Sequence, residues 1–303
     1  MSDDITPTVA AATALKAELT RAVRGAVRFD SASQAMYSAD ASNYRHVPIG
    51  VVEPRDAEDA EAAMAVCREY GVAVLPVGAR TSIGGQAVNT AVVLDFTKHM
   101  NRIVEIDPSE RSARVQPGLV LDTLRDAVRA HGLTFGPRSV NAQSLHPRRH
   151  DRHERLRFTL DGLGGKTVDN VFALDVLTYR GERLSLGQGE PGVDAIGIPG
   201  ALRDLRDKFA DDVRSSFPNL TRRVSGYNLD QLLPENQFNL AKALVGTEGT
   251  CATVLEPPSD SWSRRLIVHW RCWGSPPTPT PLPTMSWLYA SIARWRSRAW
   301  MPA

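Results

Sequence analysis

Residues 76–86 read Pro-Val-Gly-Ala-Arg-Thr-Ser-Ile-Gly-Gly-Gln, set between two short β-rich runs, Val72-Ala73-Val74-Leu75 and Ala91-Val92-Val93-Leu94. A loop of Gly, Ala, Thr and Ser between two strands offers successive backbone N–H groups and hydroxyls. That concavity suits an anion, above all a phosphate. The common nucleotide signatures do not fit: the loop holds no Gly-x-x-x-x-Gly-Lys-Ser/Thr and no Gly-x-Gly-x-x-Gly opening a helix. Spacing alone leaves two readings open, a phosphate cradle and a plain glycine-rich turn.

Outward from the loop, periodicity gives the elements. Residues 8–24 alternate Ala, Leu and Val with Lys, Glu and Arg at helical spacing and predict a surface helix. A second helix is expected over 56–70, capped by Asp56, acidic in its first turns and ended by Gly71. Strands are expected at about 72–75, 91–95, 102–107 and 112–116. Leu121, Leu124 and Val128 share one face of a third helix closed by Gly132. Leu174–Tyr179 and Arg183–Leu186 flank Arg180-Gly181-Glu182 as a hairpin. Leu202, Leu205, Phe209 and Val213 mark an amphipathic helix, Phe238–Leu244 another stopped near Gly246, and Cys251–Leu255 a strand. A β-α-β start followed by short strands indicates an α+β domain.

Composition bounds the function. The 303 residues suffice for one large domain or two small ones, and 42% apolar with 23% charged content is ordinary for a globular chain. A net charge of +2 makes no electrostatic case for nucleic acid. No apolar run reaches the length of a membrane span. The acidic start Met1-Ser2-Asp3-Asp4 lacks a secretory pattern, so a cytoplasmic location is expected. Cys67, Cys251 and Cys272 are scattered without metal spacing and read as reduced thiols.

Five blocks then occur in order: YSADASNYRHVPIGVVEPRD (37–56), PVGARTSIGGQAV (76–88), VQPGLVLDTL (115–124), KTVDNV (166–171) and VSGYNLDQLLPENQFNLAKALVGTEGTC (224–251). Together they resemble the flavin-binding domain of FAD-linked oxidases of the vanillyl-alcohol oxidase / p-cresol methylhydroxylase (PCMH) superfamily. The branch they look most like is that of the bacterial D-lactate, glycolate and D-2-hydroxyglutarate dehydrogenases. The resemblance implies a PCMH-type fold in which two α+β subdomains hold FAD between them. It implies domains at 1–45 (an N-terminal helical segment), 46–256 (the FAD-binding domain) and 257–303 (an aberrant tail, disordered or out of frame).

The resemblance also implies site roles. Gly78, Ala79, Arg80, Thr81 and Ser82 would line the FAD pyrophosphate, and Gly85 and Gln86 would continue the loop toward the flavin. Arg80 departs from the family, which places Gly there. Its side chain must point away or pair with a phosphate. Pro117 and Gly118 sit where the family turns a strand toward the cofactor. Gly136 and Pro137 begin a second flavin loop, Asp169-Asn170-Val171 matches a segment packed along the cofactor, and Glu248 and Gly249 belong to the block that closes the site. At each position the plain alternative is a turn glycine or a cap.

Two stretches depart from this wording. Residues 138–164 include HPRRHDRHERLR, with almost no periodic apolar pattern. His146, His150 and His153 could be read as metal ligands, but Arg148, Arg149, Arg152 and Arg155 would oppose a cation, and a solvated basic loop is the ordinary reading. A third reading concerns the gene. Encoded CGA TCC GTC AAC GCA and read one nucleotide later, Arg138 to Ala142 become Asp-Pro-Ser-Thr and the start of His. In the same shifted frame Gln143 to Arg152 can become Asn-Arg-Cys-Thr-Leu-Gly-Gly-Met-Ile-Gly, and Leu156 to Leu163 Cys-Gly-Ser-His-Ser-Met-Ala-Trp. That is the family segment expected here, so a compensating pair of frameshifts is expected, with the family frame resuming at Gly165-Lys166-Thr167. After Leu255-Glu256 the chain turns Pro-, Trp-, Arg- and Ser-rich, and all six tryptophans lie beyond residue 261. A Pro-rich linker with an amphipathic or membrane-surface tail and a shifted frame are the readings there.

The chemistry implied by the resemblance is oxidation of a 2-hydroxy acid to a 2-keto acid through FAD, with electrons passed to an unknown acceptor. The substrate cap of the family has no counterpart in this chain, so no residue takes a catalytic role, and no metal site is assigned. His46 and His131 read as surface or turn residues. The competing readings are a truncated remnant that binds flavin weakly or not at all, and a nucleotide module built on GLGGKT (162–167). The last fails on spacing, because Leu160 stands where the first glycine of an ATP loop belongs.

Overall fold

The computed structural model describes residues 9–135, 167–187, 189, 197–218, 220, 223, 226–255 and the backbone of 269–274. Contacts group Met1–Trp273 as one unit and Gly274–Ala303 as a second, of which only the Gly274 backbone is described. The first half of the main unit runs α1 (Val9–Ala22), β1 (Ala26–Arg28), α2 (Ser31–Met36), β2 (Gly50–Glu53), α3 (Ala57–Glu69), β3 (Val74–Val77) and β4 (Val92–Asp95). These strands form one sheet in the order β1-β2-β4-β3. β2 and β3 lie parallel to β4, and β1 runs antiparallel to β2.

The helices form where capping and apolar spacing coincide. The Asp56 carboxylate accepts the Asp59 amide at 3.0 Å and opens α3. Ala60, Ala63, Met64 and Cys67 then repeat at helical spacing and are buried. Gly71 at φ +65° reverses the chain after it. Leu15 and Leu19, one turn apart on α1, are wholly buried against this core, so α1 is amphipathic and not merely superficial. Val72 does not open the strand, as the β-rich run suggested. Its amide bonds the Cys67 carbonyl at 2.8 Å and finishes the helix end, and β3 begins at Val74. β3 is an edge strand, which is why Pro76 is accommodated in it. The expected domain boundary between residues 45 and 46 runs through this layer, since β1 pairs with β2 and α1 packs on α3.

The second half adds β5 (Ile103–Asp107), β6 (Ser112–Val115), α4 (Leu121–Arg129), β7 (Leu133–Phe135), β8 (Leu174–Thr178), β9 (Arg183–Leu186), α5 (Ile198–Ser216), α6 (Leu240–Leu244), β10 (Ala252–Leu255) and β11 (His269–Gly274). One sheet orders β5-β6-β11-β7, with residues 269–271 antiparallel to β6. The strand β11 lies inside the segment whose sequence pattern stops resembling the family. The other sheet orders β10-β8-β9, and Gly181 at φ +92° turns the β8–β9 hairpin as its sequence predicts.

β8 is buried along its whole length, and its period of two divides it between two cores. Leu174 and Val176 join Leu124, Val128, Phe135 and Leu186 in one cluster. Leu177 joins Leu15, Leu19, Met64 and Leu94 in the other. In β10, Leu255 goes to the first-half core while Val254 packs on the second. The Tyr179 hydroxyl, donating to the Val72 carbonyl at 2.8 Å, fastens the hairpin to the end of α3. The architecture is α+β; among the described residues the β10-β8-β9 sheet joins two of the three apolar cores, and the third, with Tyr37, Val51, Leu75, Val77 and Val93, lies on the first sheet.

Candidate functional site

The loop 78–91 leaves the C-terminal end of β3 and returns to β4. In a parallel sheet this is the end at which ligands collect. Gly84 donates its amide to Gln86 Oε1 at 3.1 Å, Gln86 donates its amide to Ser82 Oγ at 3.4 Å, and the Ser82 hydroxyl also meets Gln86 Oε1. Ala87 donates its amide to Asp40 Oδ2 at 3.3 Å. Burial pushes the Asp40 carboxyl upward, but hydrogen bonds from Ser42 and Ala87 outweigh it and hold the group below the usual carboxylate range.

The other side of the loop is unused. Among the described residues, no protein acceptor pairs with the amides of Gly78, Ala79, Arg80, Thr81 or Ser82. Gly78, Ala79 and Thr81 are exposed. A Cβ placed on Gly78 would meet nothing within 4 Å. Unpartnered amides beside open space form the cradle that an anionic diphosphate requires, and the residues present fit that group.

Arg80 answers the question its sequence posed. Its backbone is left-handed, φ +52°, which accounts for glycine at this place in the resembling family. Its side chain points away from the cradle. Nη1 donates to the Met36 carbonyl at 2.5 Å and to that of Ala39 at 3.4 Å, and the guanidinium lies 4.4 Å over the Tyr37 ring. Tyr37 is buried and its hydroxyl donates to Asp95 Oδ2 at 2.5 Å. Burial, then the bond to the Asp95 carboxylate, raises the phenol well above its ordinary value, so it stays a donor.

Two further predicted segments reach the same strand ends. Gly118 follows β6, and its amide bonds the Met100 carbonyl at 2.8 Å. A Cβ there would stand 2.2 Å from the Phe96 carbonyl oxygen, so this glycine serves close backbone packing just beyond β4. Pro117, half-buried, precedes it. Gly249, φ +77°, lies against the ring of Pro76 in β3, where a Cβ would stand 3.0 Å from Cγ. Glu248, exposed and also left-handed at φ +55°, stands beside it in the turn. Loop 78–86, the 117–118 turn and the 248–249 turn therefore converge on the ends of β3 and β4.

Asp169 and Val171 follow a different course. Asp169 lies exposed in a short 3-10 turn, and the Val171 side chain is buried in the second core, leaving only its backbone for a ligand. Gly136, Pro137 and the histidines at 146, 150 and 153 lie outside the described residues, as does GLGGKT except for Thr167. Among the described residues no cluster of three metal-ligating side chains occurs, and no helix is long and apolar enough to cross a membrane. Sequence reasoning missed Asp40, Tyr37 and Asp95 as supports of the loop, and Tyr44, whose ring would stand 2.8 Å from a Cβ on Gly85. The 37–56 block had marked their neighbourhood, but no local spacing shows which side chain meets which loop.

Comparison with known proteins now bears on this geometry. Residues 48–145 match the family described as FAD binding domain. The chain is 32% identical over 250 residues to a D-2-hydroxyglutarate dehydrogenase of Pseudomonas putida, covering 77% of this chain and 24% of that one. It is 34% identical over 240 residues to glycolate oxidase subunit GlcD of Bacillus subtilis, covering 77% of this chain and 42% of that one. A solved alkyldihydroxyacetonephosphate synthase shares the fold at TM-score 0.51 and 14% identity, over 90% of this chain and 46% of that one. Residues 48–145 thus fall in the class of FAD binding domains, and the cofactor is FAD. Within that class the relatives it resembles are D-2-hydroxyglutarate dehydrogenases and glycolate oxidase subunits, and it spans about a quarter of the length of the former.

Proposed function

We propose that this chain is the flavin domain of a cytoplasmic FAD-dependent dehydrogenase that oxidises a 2-hydroxy acid to a 2-keto acid and passes the electrons to a separate acceptor. The observation that carries the reading is the row of amides from Gly78 to Ser82, unpartnered among the described residues, at the ends of β3 and β4. The activities for which the similar D-2-hydroxyglutarate dehydrogenase and glycolate oxidase subunit are named support a 2-hydroxy acid as the substrate class.

In this reading the amides of residues 78–82 hold the diphosphate, with Thr81 adding a hydroxyl donor while the Ser82 hydroxyl stays bonded to Gln86 within the loop. Gln86, Asp40 and Arg80 keep the loop open without contributing to the ligand itself. The 248–249 turn, packed on Pro76, closes the base of the loop. Bound FAD supplies the two-electron acceptor for the oxidation. The proton acceptor for the substrate hydroxyl and the cation for its carboxylate are assigned to no residue of this chain. A second reading, a domain that binds flavin weakly or not at all and turns over nothing, is favoured by the departure of residues 138–164 from the family wording.

Purified protein titrated with FAD tests the proposal. Flavin absorbance that stays with the protein through gel filtration, followed by anaerobic bleaching with D-2-hydroxyglutarate, D-lactate or glycolate, is the expected result. Flavin retained without bleaching removes the dehydrogenase assignment. A colourless protein that leaves FAD fluorescence unchanged removes both.

A further inference from the structure

We propose that Arg80 is a latch that pre-organises the diphosphate loop of this chain, a positioning residue acting through the backbone of residues 78–82; the proposal rests on the flavin reading above. An arginine at φ +52° sits in a conformation that L side chains rarely adopt. Left unsupported, such a residue relaxes toward negative φ and re-aims the amides on either side of it. Here the conformation is held from outside the loop. The guanidinium joins the carbonyl of Met36, the last residue of α2, to that of Ala39, three residues on in a β-bridge with Arg45, and stacks on the Tyr37 ring. A cation is favoured at the Met36 carbonyl because it belongs to the last turn of a helix. The ring is itself fixed, because its hydroxyl bonds Asp95, the last residue of β4.

The chain of contacts runs from the strand end (Asp95) through a buried phenol (Tyr37) to a guanidinium (Arg80) and back into the loop. Glycine at position 80 would adopt the same φ freely but would fix nothing. Arginine exchanges that freedom for a tether, so that the loop holds its amides outward before any ligand arrives. The affinity for a diphosphate then falls by the fraction of time the loop spends elsewhere once the tether is cut.

The experiment compares wild type with Arg80→Ala, Arg80→Gly and Arg80→Lys in the full chain. Hydrogen exchange of the ligand-free protein is followed over residues 78–88. FAD, ADP and riboflavin are titrated separately by fluorescence or calorimetry. With the latch at work, all three variants exchange faster at 78–88, with the remaining amides unchanged. Arg80→Ala weakens FAD and ADP in parallel by about tenfold, as expected if the competent loop falls to about a tenth of the population. Riboflavin, which has no diphosphate, is unaffected. Arg80→Gly, free of backbone strain, still loses affinity, and Arg80→Lys recovers only part because it lacks the planar fork. Equal exchange in wild type and variants, or riboflavin weakened as much as FAD, overturns the latch. Full affinity in Arg80→Gly reduces the residue to a tolerated strain and overturns it too. Failure of wild type to bind FAD and ADP overturns the flavin reading instead, and the exchange contrast then decides the latch alone.

Discussion

Tyr44 closes the outer side of the glycine loop at Gly85: a Cβ on that glycine would stand 2.8 Å from Tyr44 Cδ2, at a backbone φ of +84°. Gly85→Ala therefore meets both a left-handed penalty of about 1–2 kcal/mol and a ring that has to move. FAD affinity should fall about tenfold, since about 1.4 kcal/mol is tenfold in a binding constant. Gly78→Ala is the informative partner, because its methyl meets nothing in the free protein. Its melting temperature should match wild type while its FAD affinity drops. Unchanged FAD binding by Gly78→Ala, measured by fluorescence titration, would place the diphosphate elsewhere.

Gly118→Ala should act on the fold and not on the ligand directly. Its methyl would approach the carbonyl oxygens of Phe96 at 2.2 Å and Met100 at 2.8 Å, and neither backbone group can swing aside as a side chain could. A loss of about 1–3 kcal/mol is expected from overpacking of this kind. Urea unfolding of the ligand-free protein measures it, and a variant as stable as wild type would show that the 117–118 turn is looser than described.

Asp175 gives a pH signature. It is buried in β8 with one oxygen bonded by the Ser185 hydroxyl and the other without a hydrogen-bond partner among the described residues. Burial raises its carboxyl above the ordinary range, against the Ser185 hydrogen bond and the charges of Arg114 and Arg183. The folded chain then holds this proton more tightly than the unfolded chain. The group's contribution is greatest while it is protonated, and falls as pH rises from the unfolded value, about 3.9, through the folded one. Asp175→Asn cannot titrate. The stability of wild type minus that of Asp175→Asn should decline as pH rises above roughly 4, and a flat difference would show that the carboxyl is solvated.

The gene itself carries a prediction. If residues 138–164 come from a shifted frame, resequencing across codons 137–165 should show an inserted or deleted base on each side, and the restored frame should encode a glycine loop in place of HPRRHDRHERLR. A verified unbroken frame, with relatives that share that stretch, ends this account.

Much of the fold was legible because its signals are local. Asp56, the Ala-rich face that follows and Gly71 specify α3 almost residue by residue, and Gly181 specifies the hairpin. β1, α2, β2 and β7 were not picked out, because three to six residues carry too little periodicity to register. At the site, the loop was legible as composition, but its orientation was not. Whether Arg80 faces a ligand or the protein depends on Tyr37, more than forty residues away in sequence, and on Asp95 behind it. The purpose of Gly118 was hidden likewise, since the carbonyls that exclude a side chain there belong to the turn after β4.

The shared sheet has a thermodynamic corollary. β8 and β10 supply side chains to both clusters, so melting either half strips the other of one wall. The described unit should denature in a single cooperative transition, and a fragment ending before Leu174 should precipitate or stay unfolded, because its apolar interior would open directly to water.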